Sequence, residues 1–214
     1  MPRQVHYNAA ENIPAETAAD PYLRPAFSFG NRMRRLVWNL CWAVLYRFSP
    51  RPLFAWRAML LRLFGAKLGP TCKFYPSSRV WAPWNLICSD LVAVGDGAEI
   101  YNPAPVRLGS HAILSQNSYL CGATHDFDDP GFPLLAYTMN VGAYAWIAAR
   151  ACIAPGVNVG EGAILGLASV ATRNLEPWSV YAGSPPPPGR SNSAAPCSAC
   201  SVPGTLHGQP GRWA

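Results

Sequence analysis

A chain of 214 residues, half of them hydrophobic and only 13% charged, has room for one domain plus extensions and enough apolar content for a sizeable core. Its 22 prolines and 18 glycines argue against an ordinary helical bundle. The formal charge is +6, but eight of the 17 Lys and Arg residues fall between Arg24 and Arg62; the sign is local, and without basic and aromatic residues interleaved on a repeat, nucleic acid is not an expected partner.

Residues 1–26 read as a flexible arm, polar over Met1–Asp20 and lacking the apolar run of a secretory signal. The seven cysteines, an odd number, then read as reduced thiols of a cytoplasmic protein. Residues 27–66 form a helical region. Between 31 and 48, Leu36, Val37, Leu40, Cys41, Val44, Leu45 and Phe48 share one helical face, and Trp38 and Trp42 add a second apolar surface. Pro50 and Pro52 interrupt the chain, and Phe54 to Phe64 reads as a second helix. The uncharged run is shorter than the roughly 20 residues that span a bilayer. Two uses remain open: peripheral contact with the inner face of the cytoplasmic membrane, or a cap on the end of the next domain.

Residues 67–183 carry a six-residue repeat. Val141, Ile147, Ile153, Val159, Leu165 and Ala171 follow at intervals of six, the first five each followed by Gly or Ala. Neither an amphipathic helix nor a simple strand has that period. A parallel β-helix does: each unit is a strand and a corner, three units make a coil, and the aliphatics stack inward. Upstream, Leu68, Phe74, Val80 and Leu86 keep the count, two extra residues precede Val94, and Ile100 follows. Two more precede Leu108, followed by Leu114 and Leu120. The expectation is a mainly β fold of about five coils, with N-terminal helices and one inserted loop at 121–140. Residues 184–214, without periodicity and rich in Pro, Ser, Ala and Gly, read as a disordered tail.

A long excursion from a regular solenoid is where function is expected. Here it holds His125, followed by Asp126, with Asp128 and Asp129 close by. An imidazole can take the proton of an attacking hydroxyl, and a carboxylate can fix its tautomer; sequence does not say which acid would do so. His111 reads as a surface corner residue. Metal catalysis in the manner of a zinc carbonic anhydrase needs three histidine ligands, whereas only His111 and His125 lie in the repeat region; no metal is expected. Cys197-x-x-Cys200 lacks a second ligand pair. A non-catalytic solenoid scaffold is the other alternative.

The repeat, the WAPWN run at Trp81–Asn85, LSQNSYLCGATHDF at 114–127, YAGSPP at 181–186 and LRLFGAKLG at 61–69 together resemble the hexapeptide-repeat acyltransferases, closest to the colanic acid biosynthesis O-acetyltransferases, over roughly residues 22–186. The resemblance implies a left-handed parallel β-helix, a homotrimer with active sites between subunits, and transfer of an acetyl group from acetyl-CoA to a hydroxyl of a sugar or exopolysaccharide precursor. It implies His125 as general base, without a covalent acyl-enzyme. It suggests Asn102 and Asn117 as acceptor-binding residues, although either amide could equally satisfy backbone groups at a corner. It places acetyl-CoA against Trp146, Ala149, Leu167, Ala168, Thr172 and Arg173. The chain departs from the family after Gly183-Ser184-Pro185, where Pro186, Pro187 and Pro188 replace a small and a basic residue.

Overall fold

The computed structural model describes residues 26–129 and 131–184, and the backbone of 188–191. The expected arm, apart from Ala26, and the Cys197–Cys200 pair lie outside the described residues. The six-residue spacing becomes a parallel β-solenoid with three faces. The first stacks Lys67–Leu68, Leu86–Cys88, Val106–Leu108 and Met139–Val141, and single bridges at Val159 and Leu175 extend it. The second runs through Lys73–Phe74, Ala93–Val94, Ile113–Leu114, Trp146–Ile147, Ile164–Leu165 and Ser179–Tyr181. The third holds Arg79–Val80, Glu99–Tyr101, Tyr119–Cys121, Cys152–Ile153 and Val170–Ala171. Inward residues such as Phe74, Val94, Leu114, Ile147 and Leu165 are buried and form the core column. Five coils are complete and a partial sixth follows at Leu175–Tyr181, beyond the last counted unit at Ala171.

One register differs from the sequence count. The partner of Leu68 and Leu108 on the first face is Cys88, not Leu86. The extra residues therefore precede Cys88 rather than following Leu86. Every insertion then falls at one corner, between the third and first faces: 81–85, 102–105 and the long excursion after Cys121. Leu86 is buried as well, so hydrophobicity alone does not separate the two positions.

The glycine after Leu108, Val141 and Val159 on the first face has a visible cause. A Cβ on Gly109, Gly142 or Gly160 would lie 2.4–2.5 Å from a backbone nitrogen of the next coil. From Cys88 onward, three residues beyond each inward first-face position, Leu91, His111, Tyr144, Gly162 and Trp178 all take positive φ, forming a column of left-handed corners.

The helices close the open end. In later coils the carbonyls of Val94, Ala98 and Ile100 accept bonds from Tyr75, Arg79 and Trp81 of the coil before. The first coil has no such neighbour. Its counterparts Phe74, Ser78 and Val80 accept instead from Arg57 Nε, Trp42 Nε1 and Trp38 Nε1. Leu68 likewise accepts from Arg62 Nη2 at 3.3 Å, where Cys88 accepts from Gly69. Side-chain donors on the two helices thus replace the missing strand edge. They are α1 (Phe29–Cys41), which continues into a π-helical turn at Trp42–Tyr46, and α2 (Phe54–Leu63). Of the two apolar faces read from the sequence, the tryptophan face turns inward, because indole N–H groups can satisfy the edge. The aliphatic stripe faces outward: Leu40 is 65% and Phe48 79% exposed.

The expected disordered tail is corrected over Pro188–Ser191, whose backbone pairs antiparallel with Ser179–Tyr181. Residues 185–187 and 192–214 lie outside the described residues.

Candidate active site

The excursion is an ordered hairpin. It leaves the third face at Gly122, whose N–H donates to the Tyr101 carbonyl at 2.7 Å and where a Cβ would meet that same oxygen at 2.3 Å. Ala123–His125 then pairs antiparallel with Leu134–Ala136. Tyr137 N–H donates to the Gly122 carbonyl, and its ring lies over Gly156 of the next coil. The chain re-enters the first face at Met139. A base held at both sides by backbone bonds gives the hairpin a fixed direction.

His125 is the last residue of the outgoing strand and is exposed. Its Nδ1 lies 3.0 Å from the carbonyl oxygen of Phe132, and the Phe132 ring stacks on the imidazole, with centroids 4.5 Å apart and planes 8° from parallel. A carbonyl only accepts, so this contact places the proton on Nδ1 and the lone pair on Nε2. Phe132 takes up φ +42°, and its N–H is bonded to the Asp129 carbonyl at 2.8 Å. One residue therefore supplies both the acceptor and the stacking surface. Nothing in the sequence marks it, since any residue has a carbonyl.

Two of the three neighbouring acids bond within the turn, each through one oxygen. Asp126 Oδ1 accepts from the Asp128 N–H at 3.2 Å, and Asp129 Oδ1 from the Gly131 N–H at 2.7 Å. The orienting partner at Nδ1 is the Phe132 carbonyl rather than Asp126. Near the hairpin base, burial holds the phenols of Tyr119 and Tyr101 above their ordinary range, and the nearby Cys121 adds to this. Both stay protonated donors at neutral pH.

Asn102 lies against Gly122 at the hairpin base, whereas Asn117 sits at a different corner. Asn102 is fully buried, and its amide brackets the Ala82 backbone, accepting from the N–H at 2.9 Å and donating to the carbonyl at 2.8 Å. This corrects the acceptor-binding reading of Asn102: an enclosed amide does not reach a ligand on the surface. Asn117 is exposed, at φ +56°, in a column of left-handed corners between the second and third faces with Gly97, Arg150 and Ala168.

Of the residues expected at acetyl-CoA, Ala149, Leu167 and Ala168 lie at or beside that same column. Trp146 points outward from the second face and donates to Ser115 Oγ at 2.8 Å, a partner not anticipated from sequence. Ala168 N–H donates to the Ala149 carbonyl, and Leu167 beside it is 71% exposed. Thr172 and Arg173 are exposed just past the last third-face strand. One protomer thus holds Ala149, Leu167 and Ala168 near the corner between the second and third faces, while Thr172 and Arg173 share with the His125 hairpin the corner between the third and first faces. Among the described residues, no three His, Cys, Asp or Glu side chains gather as a metal-binding group.

No protein-family model matches the chain. WcaF of Escherichia coli, assigned as a colanic acid biosynthesis acetyltransferase, is 36% identical over 159 residues, covering 74% of this chain and 87% of WcaF. WcaF of Shigella flexneri matches to the same extent. Among solved structures, a hexapeptide-repeat acetyltransferase of Vibrio cholerae superposes with a TM-score of 0.69 at 19% identity, covering 78% of this chain and 94% of that one. A galactoside acetyltransferase in complex with coenzyme A gives 0.66 at 19% identity, covering 78% and 84%. At such identities the solved structures speak for the fold alone.

Proposed function

Because the chain belongs to the hexapeptide-repeat acetyltransferases, left-handed β-helix enzymes related to WcaF, we propose that it moves an acetyl group from acetyl-CoA to a hydroxyl of a sugar or exopolysaccharide precursor. The observation that carries the chemistry is the Nδ1 contact of His125 with the Phe132 carbonyl. With its proton held on Nδ1, the imidazole offers Nε2 as the base. Nε2 takes the hydroxyl proton as the oxygen attacks the thioester carbonyl, and the imidazolium then gives that proton to the leaving thiolate. The Phe132 carbonyl favours the positive ring, as a carboxylate would, with less charge. No acyl-enzyme is formed.

The acetyl-CoA rail in this reading is Trp146, Ala149, Leu167, Ala168, Thr172 and Arg173. Extended pantetheine bonds well to exposed main-chain groups, and Arg173 suits a phosphate. Ala149, Leu167 and Ala168 of the rail lie near a corner away from the hairpin, so in this reading the rail of one subunit meets the His125 of its neighbour in a homotrimer. The relation to WcaF, an acetyltransferase of colanic acid biosynthesis, supports a glycan acceptor in this reading.

The test is turnover of labelled acetyl-CoA with a panel of glycan acceptors. His125→Ala should lower kcat by roughly 10²–10⁴. Asp126→Asn should stay within about threefold, since its carboxylate serves the turn. Near-normal acetylation by His125→Ala would end the proposal. A collapse in Asp126→Asn alone would move the orienting role to that carboxylate.

A further inference from the structure

Between Asp20 and Asp90 the chain has no acidic residue at all and eleven Lys and Arg residues. That stretch contains both helices. Their outer sides carry Leu36, Leu40, Val44 and Phe48 on one and Trp56 and Leu63 on the other, all exposed. The helices are tied together where Trp56 Nε1 donates to the Leu45 carbonyl at 3.0 Å, so the two apolar rows lie on neighbouring elements. Scattered surface leucines are ordinary; two adjoining rows of large apolar side chains on a helical plate are not. The inward side of the same plate is fully used by the solenoid edge, through Trp38, Trp42 and Arg57.

We propose that this plate is an interfacial docking surface for an anionic lipid bilayer. It is independent of the acetyl-transfer reading. The apolar rows would enter the boundary between headgroups and acyl chains. Exposed arginines on the same elements, Arg32 and Arg47 among them, would meet lipid phosphates. No helix among the described residues is long and apolar enough to cross a membrane, so the mode is lying on the surface rather than spanning. Charge decides between a bilayer and a second copy of the plate. A second plate would bring the same acid-free, arginine-rich stretch and oppose like charges, whereas an anionic surface neutralises them. Docking would set the solenoid on end, its first coil toward the bilayer.

The test uses the purified full-length chain, sedimented with vesicles of phosphatidylcholine alone and of phosphatidylcholine mixed with phosphatidylglycerol. The wild type should pellet with the anionic vesicles, and rising salt should release it. Leu40→Glu with Phe48→Glu should weaken binding at least about tenfold. These side chains are exposed, so its thermal melt should match the wild type. Arg32→Gln with Arg47→Gln should narrow the difference between the two vesicle types. Wild-type protein that stays in the supernatant with both vesicles overturns the proposal. So does equal binding by the Leu40/Phe48 variant. The absence of vesicle binding together with a smaller particle mass for that variant in light scattering would make the plate a contact between copies.

Discussion

Removing Arg57 should loosen the helical plate from the solenoid. The side chain is fully buried, without a carboxylate bonded to it, and is satisfied by neutral acceptors: the carbonyls of Phe74, Pro50 and Arg51 and the hydroxyl of Ser49. In Arg57→Ala, the Pro50 and Arg51 carbonyls belong to exposed residues and can take up water. The Phe74 carbonyl, on a fully buried residue at the open edge, cannot do so without admitting water to the core. A buried orphan acceptor costs about 1–3 kcal/mol. Lost charge-assisted bonds and stem packing, including the contact with the Phe54 ring at 5.1 Å, add about as much. The expected loss is about 4 kcal/mol, which for a chain of this size lowers Tm by roughly 10 °C. Stacked coils contact only their neighbours, so the damage should be graded along the axis. Hydrogen exchange should speed up first in residues 29–68 and little in 139–171. Arg57→Lys keeps the charge but not the planar fork, and should fall between the two. A change below about 1 kcal/mol, with exchange in α2 unaltered, would refute the capping account.

Two further changes test the stacking itself. Gly142→Ala places a Cβ 2.5 Å from the Glu161 nitrogen, a backbone atom of the next coil; about 1–3 kcal/mol of destabilisation is expected, read by urea unfolding, and unchanged stability would mean that the coils can separate at no cost. Asp90 is held below the usual carboxylate range, first by the Thr71 hydroxyl and then by the Thr71 N–H. With its folded value depressed, its contribution is present above the unfolded value and is lost as pH falls through the folded one. Tm measured across the acid range should therefore drop less steeply in Asp90→Asn than in the wild type, and parallel curves would count against this bond.

The solenoid was legible because an inward aliphatic every six residues is a demand that stacking places on the sequence itself. The position of the insertions was less legible. Leu86 and Cys88 are both buried, and only strand pairing shows that Cys88 continues the column. The orientation of α1 ran against its aliphatic pattern because the decisive partner was a row of carbonyls, which has no letter in the sequence; Trp38 and Trp42 answer it with ring N–H donors. The same applies at the site. His125 stood out by its residue type and its place in the interruption, whereas its Nδ1 partner is main chain. Asn102 has a type that suits sugar hydroxyls, yet the amide is spent on Ala82 inside the corner.

The hairpin that carries His125 is also a cheap addition to the fold. Between coils, Val94 pairs with Leu114, a step of 20 residues; across the hairpin, Leu114 pairs with Ile147, a step of 33. Closing the longer step costs extra chain entropy of only about 0.4 kcal/mol, since the penalty grows with the logarithm of length. All insertions share one corner, so the other two corner columns keep their spacing whatever is attached there. A scaffold of this kind can exchange the arm that bears His125, or lengthen it, without renegotiating the stack beneath.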